Sequence, residues 1–137
     1  MKKTIFIAEA GVNHNGKVSM AKKLIDIAKR ANADFVKFQI FKAEDLVKKK
    51  SPLASYQKKN IGKNISQYEM LKKLELSQKE HILLIDYCRK KKINYLASVF
   101  DIDSLNFLRK QSSSIKIPSG EITNYQLLKN IKKKKIS

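Results

Sequence analysis

The feature that most constrains this chain is an alternation of two periodicities. Short apolar, β-prone runs recur, and each is followed by a segment with helical spacing. "TIFIA" (Thr4–Ala8) reads as a first buried strand. "KVSMAKKLIDIAKRAN" follows, with Met20, Leu24, Ile27 and Ala28 at helical spacing and Ser19 as a candidate cap. "DFVKFQI" (Asp34–Ile40) is a second strand. After a polar span come a short helix in "SQYEMLKKLEL" and a longer one in "SQKEHILLIDYCRKKK", where Ser77 and Glu80 have capping-box spacing. "NYLASVF" (Asn94–Phe100) is a third strand, and "DIDSLNFLRKQ" is a helix capped by Asp101 or Asp103. "SIKIPS" (Ser114–Ser119) is a fourth strand, and "NYQLLKNIKKKK" opens the helix after it.

Four strand–helix units predict a parallel sheet with crossover helices. A unit takes about 30 residues, and an eight-unit barrel needs roughly 250. With 137 residues and "KKKKIS" at its end, the chain fits either a small open α/β fold or the first half of a (β/α)8 TIM barrel. The span from Phe41 to Ile65, with Pro52 and Gly62, is long for a connection in a compact domain, which marks it as a candidate functional loop.

Composition narrows the function classes. Apolar residues make up 42%, enough for a packed core and against a disordered chain. The net charge of +18 first suggests nucleic acid or another anionic surface. However, Arg30, Arg89 and Arg109 are the only arginines, and the lysines are spread along the chain. Specific phosphate and base contacts favour the guanidinium fork. The lysine load therefore reads as a solvated surface that also steers anionic substrates, and nucleic acid is disfavoured. The single cysteine, Cys88, excludes an internal disulfide, and it sits where a buried helical position is expected. This fits a reducing cytoplasm. "MKKTIFIAEAG" starts like a signal peptide, but its apolar run is short and broken by Glu9. No run approaches the roughly eighteen apolar residues of a membrane helix.

In parallel α/β folds the chemistry collects at the carboxyl ends of the strands. Here those ends carry Glu9 with "AGVNHNG", then Lys37 and Gln39, then Ser98, and last Lys116 with "PSGE" up to Glu121. Strand alternation puts Lys37 and Gln39 on one face. A lysine inside an apolar strand is costly without an anionic partner. Two lysines, two glutamates, a histidine and several hydroxyl and amide groups can thus converge on a small anion. Blander readings exist for each. Lys37 and Lys116 could face outward, with Glu9 and Glu121 as their ion-pair partners. His14 alone suits a cap or an exposed loop, and His81 a structural place on a helix. "NHNG" is also an ordinary turn sequence. It is the recurrence at four successive strand ends that favours a site.

"FIAEAGVNHNG", "ADFVKFQIFKAEDL", "QYEMLKKLELS" and "IKIPSGEITN" together resemble the first half of the sialic acid synthase family, in order and spacing. "FKAEDL", "YQKK" and "KIPSGEITN" are most similar to the branch making N,N'-diacetyllegionaminic acid, with N-acetylneuraminate synthases close behind. The resemblance implies that residues 1–137 are the N-terminal part of a TIM-barrel synthase domain. The second half of the barrel and a C-terminal antifreeze-like domain would be absent. It implies a cytoplasmic enzyme of cell-surface carbohydrate biosynthesis that condenses phosphoenolpyruvate with an N-acetylated hexose. That hexose would be N-acetylmannosamine or 2,4-diacetamido-2,4,6-trideoxymannose. A homodimer at full length is implied, as is a divalent metal, manganese or magnesium, whose histidine ligands match no position here.

Residue by residue, Lys37 and Lys116 match lysines that hold the phosphate and carboxylate of phosphoenolpyruvate. Ser98 and Ser119 match hydroxyl groups on the same ligand, and Glu121 a glutamate at the sugar end. Glu9 matches an acid near the reacting carbons, a candidate base for the attacking water. Asn13, His14 and Gln39 match the mouth. Where many relatives have Ser-Thr-Pro-Phe after the third strand, this chain has "ASVF". The competing reading is a non-catalytic, lysine-rich α/β module that binds anions or nucleic acid.

Overall fold

The computed structural model describes residues 4–47, 65–112 and 114–132. Three parallel strands form one sheet in the order β1 (Ile7–Gly11), β2 (Phe35–Ile40) and β3 (Asn94–Val99). Helix α1 (Val18–Arg30) connects the first two strands. The short α2 (Ala43–Leu46), then α3 (Gln67–Leu74) and α4 (Gln78–Lys91), lie between β2 and β3. Helix α5 (Ile102–Gln111), a 3-10 turn at Ser119–Glu121 and α6 (Tyr125–Lys132) complete the described chain.

Alternation along the strands divides the sheet's two faces. Val36, Phe38 and Ile40 of β2 and Tyr95, Ala97 and Val99 of β3 are buried against Ala21 and Ile25 of α1, Leu84 and Ile85 of α4 and Leu105 and Leu108 of α5. The opposite face carries Ile7, Glu9, Lys37, Gln39 and Ser98, which the register sets in neighbouring rows. Helices α3, α4 and α5 are capped by side chains. Ser66 with Glu69, and Ser77 with Glu80, form reciprocal capping boxes, and the Asp101 carboxylate accepts from the Ser104 amide at 2.6 Å. No described helix is long and apolar enough to cross a membrane.

Several expectations are corrected. The first strand runs Ile7–Gly11 rather than Thr4–Ala8, and Ile5, Phe6 and Ile7 are exposed. β1 is an edge strand, so the apolar run that suggested full burial is covered on fewer sides. Its hydrogen bonding to the β2 segment starts with the Phe6 carbonyl, which accepts the amides of Asp34 and Phe35. On α1 the buried stripe is Ala21, Ile25 and Ala28, while Met20 and Ile27 face outward. The two alanines let the helix backbone approach the sheet. Ser19 does not cap α1: Lys17 holds the N-cap position and makes no side-chain cap bond. Ser114–Ser119 is not a strand. Only Lys116 bridges to β3, donating its amide to the Ala97 carbonyl (3.0 Å) and accepting the Val99 amide (3.3 Å). Pro118, which has no N–H, prevents the ladder from continuing. Of the candidate functional loop, residues 48–64 lie outside the described residues.

Candidate functional site

The carboxyl ends of the three strands and the Lys116 segment enclose an open cavity of about 390 Å³. Glu9, Asn13, Lys37, Gln39, Ser98, Lys116 and Ser119 all line it. Sheet register explains the convergence: Glu9 is paired with Lys37, Gln39 with Ser98, and Ser98 with Lys116. Neighbouring partners in a parallel ladder project to the same face, so these side chains meet at one end of it. A hollow of about 450 Å³ at the amino ends of the strands includes Phe35, Cys88 and Asn94, with the cations Arg89 and Lys92 but no carboxylate.

Lys37 Nζ lies 2.6 Å from Glu9 Oε2, with Lys37 largely shielded from solvent and Glu9 half exposed. A strand lysine in an apolar setting thus finds its anion in the neighbouring strand. Gly11 leaves room beside the Glu9 carboxylate. It has φ +53°, a register shift separates it from Glu9, and a Cβ there would stand 3.2 Å from Glu9 Oε1. Lys116 Nζ donates to the Ile117 carbonyl at 2.6 Å, so its ammonium is held by a neutral acceptor. The cavity therefore holds two lysines and one carboxylate, which pairs with Lys37, beside the hydroxyl groups of Ser98 and Ser119 and the amides of Asn13 and Gln39. Such a set can hold a small dianion while keeping a carboxylate within reach of it.

Two expected members stand elsewhere. Glu121 does not line the cavity. Its Oε2 accepts from the Asn124 side-chain amide at 2.6 Å, in the turn after Ser119. His14 is not at the mouth: it is 1% exposed, and its Nδ1 accepts the Gly16 amide at 3.0 Å. The loop is a run of turns that places Asn13 in the cavity and His14 against Phe38 in the core. His81 is fully buried, as expected of a structural histidine, with Nδ1 2.8 Å from the Tyr95 hydroxyl. Burial holds its pKa down, from 6.5 to about 4. Cys88 is buried in α4, and burial pushes its thiol up to about 12. Gly11, Val12, Phe100 and Pro118, which stand in the strand-end stretches but are not among the candidate site residues, also line the cavity. For Gly11 the available signal was a glycine two residues after the strand-end acid Glu9.

A model of the NeuB family matches residues 24–137. The chain belongs to the NeuB family. It is 51% identical over 134 residues to the N,N'-diacetyllegionaminic acid synthase of Campylobacter jejuni, covering 97% of this chain and 40% of that protein. It is 48% identical over 131 residues to the protein of the same name from Legionella pneumophila, covering 95% and 37%. Among solved structures, the N-acetylneuraminic acid synthetase of Leptospira borgpetersenii, in complex with citrate, superposes with a TM-score of 0.75 at 32% identity. That match covers 94% of this chain and 41% of the other. This NeuB chain thus spans about 40% of the length of these relatives. Its parallel α/β architecture is that of sialic acid synthase structures.

The divalent metal implied by the resemblance finds no fit here. No group of three or more His, Cys, Asp or Glu side chains that could hold an ion occurs among the described residues. His14 and His81 lie on the helix side of the sheet with their Nδ1 atoms engaged, and Glu9 is committed to Lys37.

Proposed function

We propose that this chain is the phosphoenolpyruvate-binding part of a nonulosonic acid synthase, the first half of a (β/α)8 barrel, acting with further chain of the length its relatives have. The observation that carries the reading is the meeting of Lys37 and Lys116, with Ser98 and Ser119, in one strand-end cavity. Phosphoenolpyruvate carries a phosphate and a carboxylate on a three-carbon frame and needs two cations set a short distance apart. Lys116, held by a neutral carbonyl, takes the phosphate, and Lys37 takes the carboxylate while Glu9 stays beside it. The serine hydroxyl groups and the Asn13 and Gln39 amides complete the hydrogen bonding. Fixed charges aimed at the reacting carbons then stabilise developing charge without reorganisation.

In the proposed reaction C3 of phosphoenolpyruvate bonds to the aldehyde carbon of an N-acetylated hexose. The C=C pair forms that bond while the aldehyde C=O pair moves to oxygen, which takes up a proton. Water adds at C2, losing a proton to Glu9. The C2–O bond to phosphate breaks as the C2 ketone forms, releasing inorganic phosphate. Glu121, on the turn that begins at Ser119 and outside the cavity, is assigned in this proposal to orienting the sugar rather than touching the phosphate. The identities to N,N'-diacetyllegionaminic acid synthases support a 2,4-diacetamido sugar as the acceptor, and the citrate complex of the Leptospira relative supports a polyanion site. A homodimer, a manganese or magnesium ion held by later residues, a C-terminal antifreeze-like domain and a cytoplasmic setting belong to the same proposal.

Isothermal titration of phosphoenolpyruvate tests it. Lys116→Ala removes a charge-assisted contact worth about 1.5–3 kcal/mol, so affinity should fall about tenfold to a hundredfold. An unchanged affinity would remove Lys116 from the site.

A further inference from the structure

The loop "VNHNG" leaves β1 with Asn13 on one side of the sheet and His14 on the other. His14 packs behind the strand that carries Lys37. Its ring lies 6.1 Å from Phe38, the residue between Lys37 and Gln39. Phe38 in turn stacks on Tyr95, at 5.6 Å and 15° between planes, and Tyr95 meets His81. The loop is also seated from outside. Gly16 has φ +70°, and a Cβ there would collide with the Lys73 carbonyl at the end of α3. The one side-chain hydrogen bond shown inside this loop is that from the Gly16 amide to His14 Nδ1. His14 Nε2 is buried without a hydrogen-bond partner among the described residues.

We infer that His14 is a positioning residue: in its neutral form it pins the β1–α1 loop, and with it Asn13, over the anion cavity, and its protonation releases the loop and weakens anion binding. The inference rests on the proposed anion site and adds its control by pH. Only a neutral imidazole offers an acceptor. Protonating Nδ1 sets two donors against each other at Gly16 and places a charge among Phe38, Tyr95 and the neighbouring ring of His81. The groups that bear on it are Glu80 and His81 of α4, Tyr95 of β3 and, beyond Gly16, the Lys73 backbone of α3. Burial lowers the His14 pKa from 6.5 and Glu80 only partly opposes it, so the loop is held at neutral pH and freed on the acid side.

The test follows the isotope-labelled chain by NMR between about pH 7.5 and about pH 5, a range only histidines normally titrate in. Sulfate serves as the anion because its charge is constant over that range. The Gly16 amide and the His14 ring should titrate together, and sulfate affinity should fall about fivefold, one hydrogen bond's worth, through the same midpoint. His14→Asn keeps an acceptor near the Nδ1 position and has no titration, so it should retain binding and flatten the acid limb. His14→Phe keeps the bulk without the acceptor and should bind weakly even at neutral pH. A Gly16 amide indifferent to His14 ionisation, or an acid limb that survives in His14→Asn, overturns the inference even if His14→Phe fails to fold. Absence of sulfate binding by the unsubstituted chain at neutral pH would instead overturn the anion site itself.

Discussion

Acid should destabilise this fold through His81, by an amount the structure sets. The ring is fully buried, its Nδ1 meets the Tyr95 hydroxyl at 2.8 Å, and its Nε2 has no partner among the described residues. Burial, with a smaller contribution from His14, lowers its pKa from 6.5 to about 4, and Glu80 opposes this weakly. In the window between those values the unfolded chain binds a proton that the folded chain refuses. Stability is therefore complete above 6.5 and is lost as pH falls toward about 4. At about pH 5 the loss from this one group comes to about 2 kcal/mol. Urea unfolding, followed by circular dichroism at about pH 7.5 and about pH 5, measures it. Carboxylates and His14 also titrate, so the comparison is with His81→Asn, which can still accept from Tyr95 and carries no proton. The unsubstituted chain should lose about 2 kcal/mol more than the variant on acidification. Equal losses would show that the His81 ring is hydrated or paired in solution, and would refute the reasoning.

Ser77→Ala should cost about 1 kcal/mol and lower Tm, because it breaks the capping box at the start of α4, whose Ser77 oxygen accepts the Glu80 amide. Gly16→Ala should destabilise by roughly 1–3 kcal/mol in the same unfolding assay, since φ is positive and the new methyl meets the Lys73 carbonyl. Cys88 should stay unreactive toward a disulfide reagent at mildly alkaline pH until the chain unfolds, because its thiol titrates only at about 12; rapid labelling of the folded chain would contradict its burial.

Much of the positioning was legible because strand alternation and strand ends follow from residue order alone. Lys37 and Gln39 share a face for that reason, and β2, β3, the Ser77–Glu80 box and the Asp101 cap stand where local chemistry put them. What failed depended on neighbours distant in sequence. Thr4–Ala8 looked buried because it is apolar, but coverage of an edge strand is set by what packs beside it. Met20 and Ile27 and the observed pair Ala21 and Ile25 are both acceptable helical stripes, and only the sheet chooses between them. Ser114–Ser119 has strand-like composition, yet Pro118 leaves it a single bridge. His14 was assigned to the mouth with Asn13 because a turn sequence does not say on which side of the sheet each side chain leaves.

The most direct test of the central claim watches both lysines at once. Phosphoenolpyruvate is titrated into the chain with its lysines isotope-labelled, and the ammonium signals are assigned through Lys37→Met and Lys116→Met. The structure predicts that the Lys37 and Lys116 signals move together with a single dissociation constant, and that either substitution weakens the response of the other. Shifts spread over the helix-surface lysines, with Lys37 and Lys116 unmoved, would contradict a shared anion site.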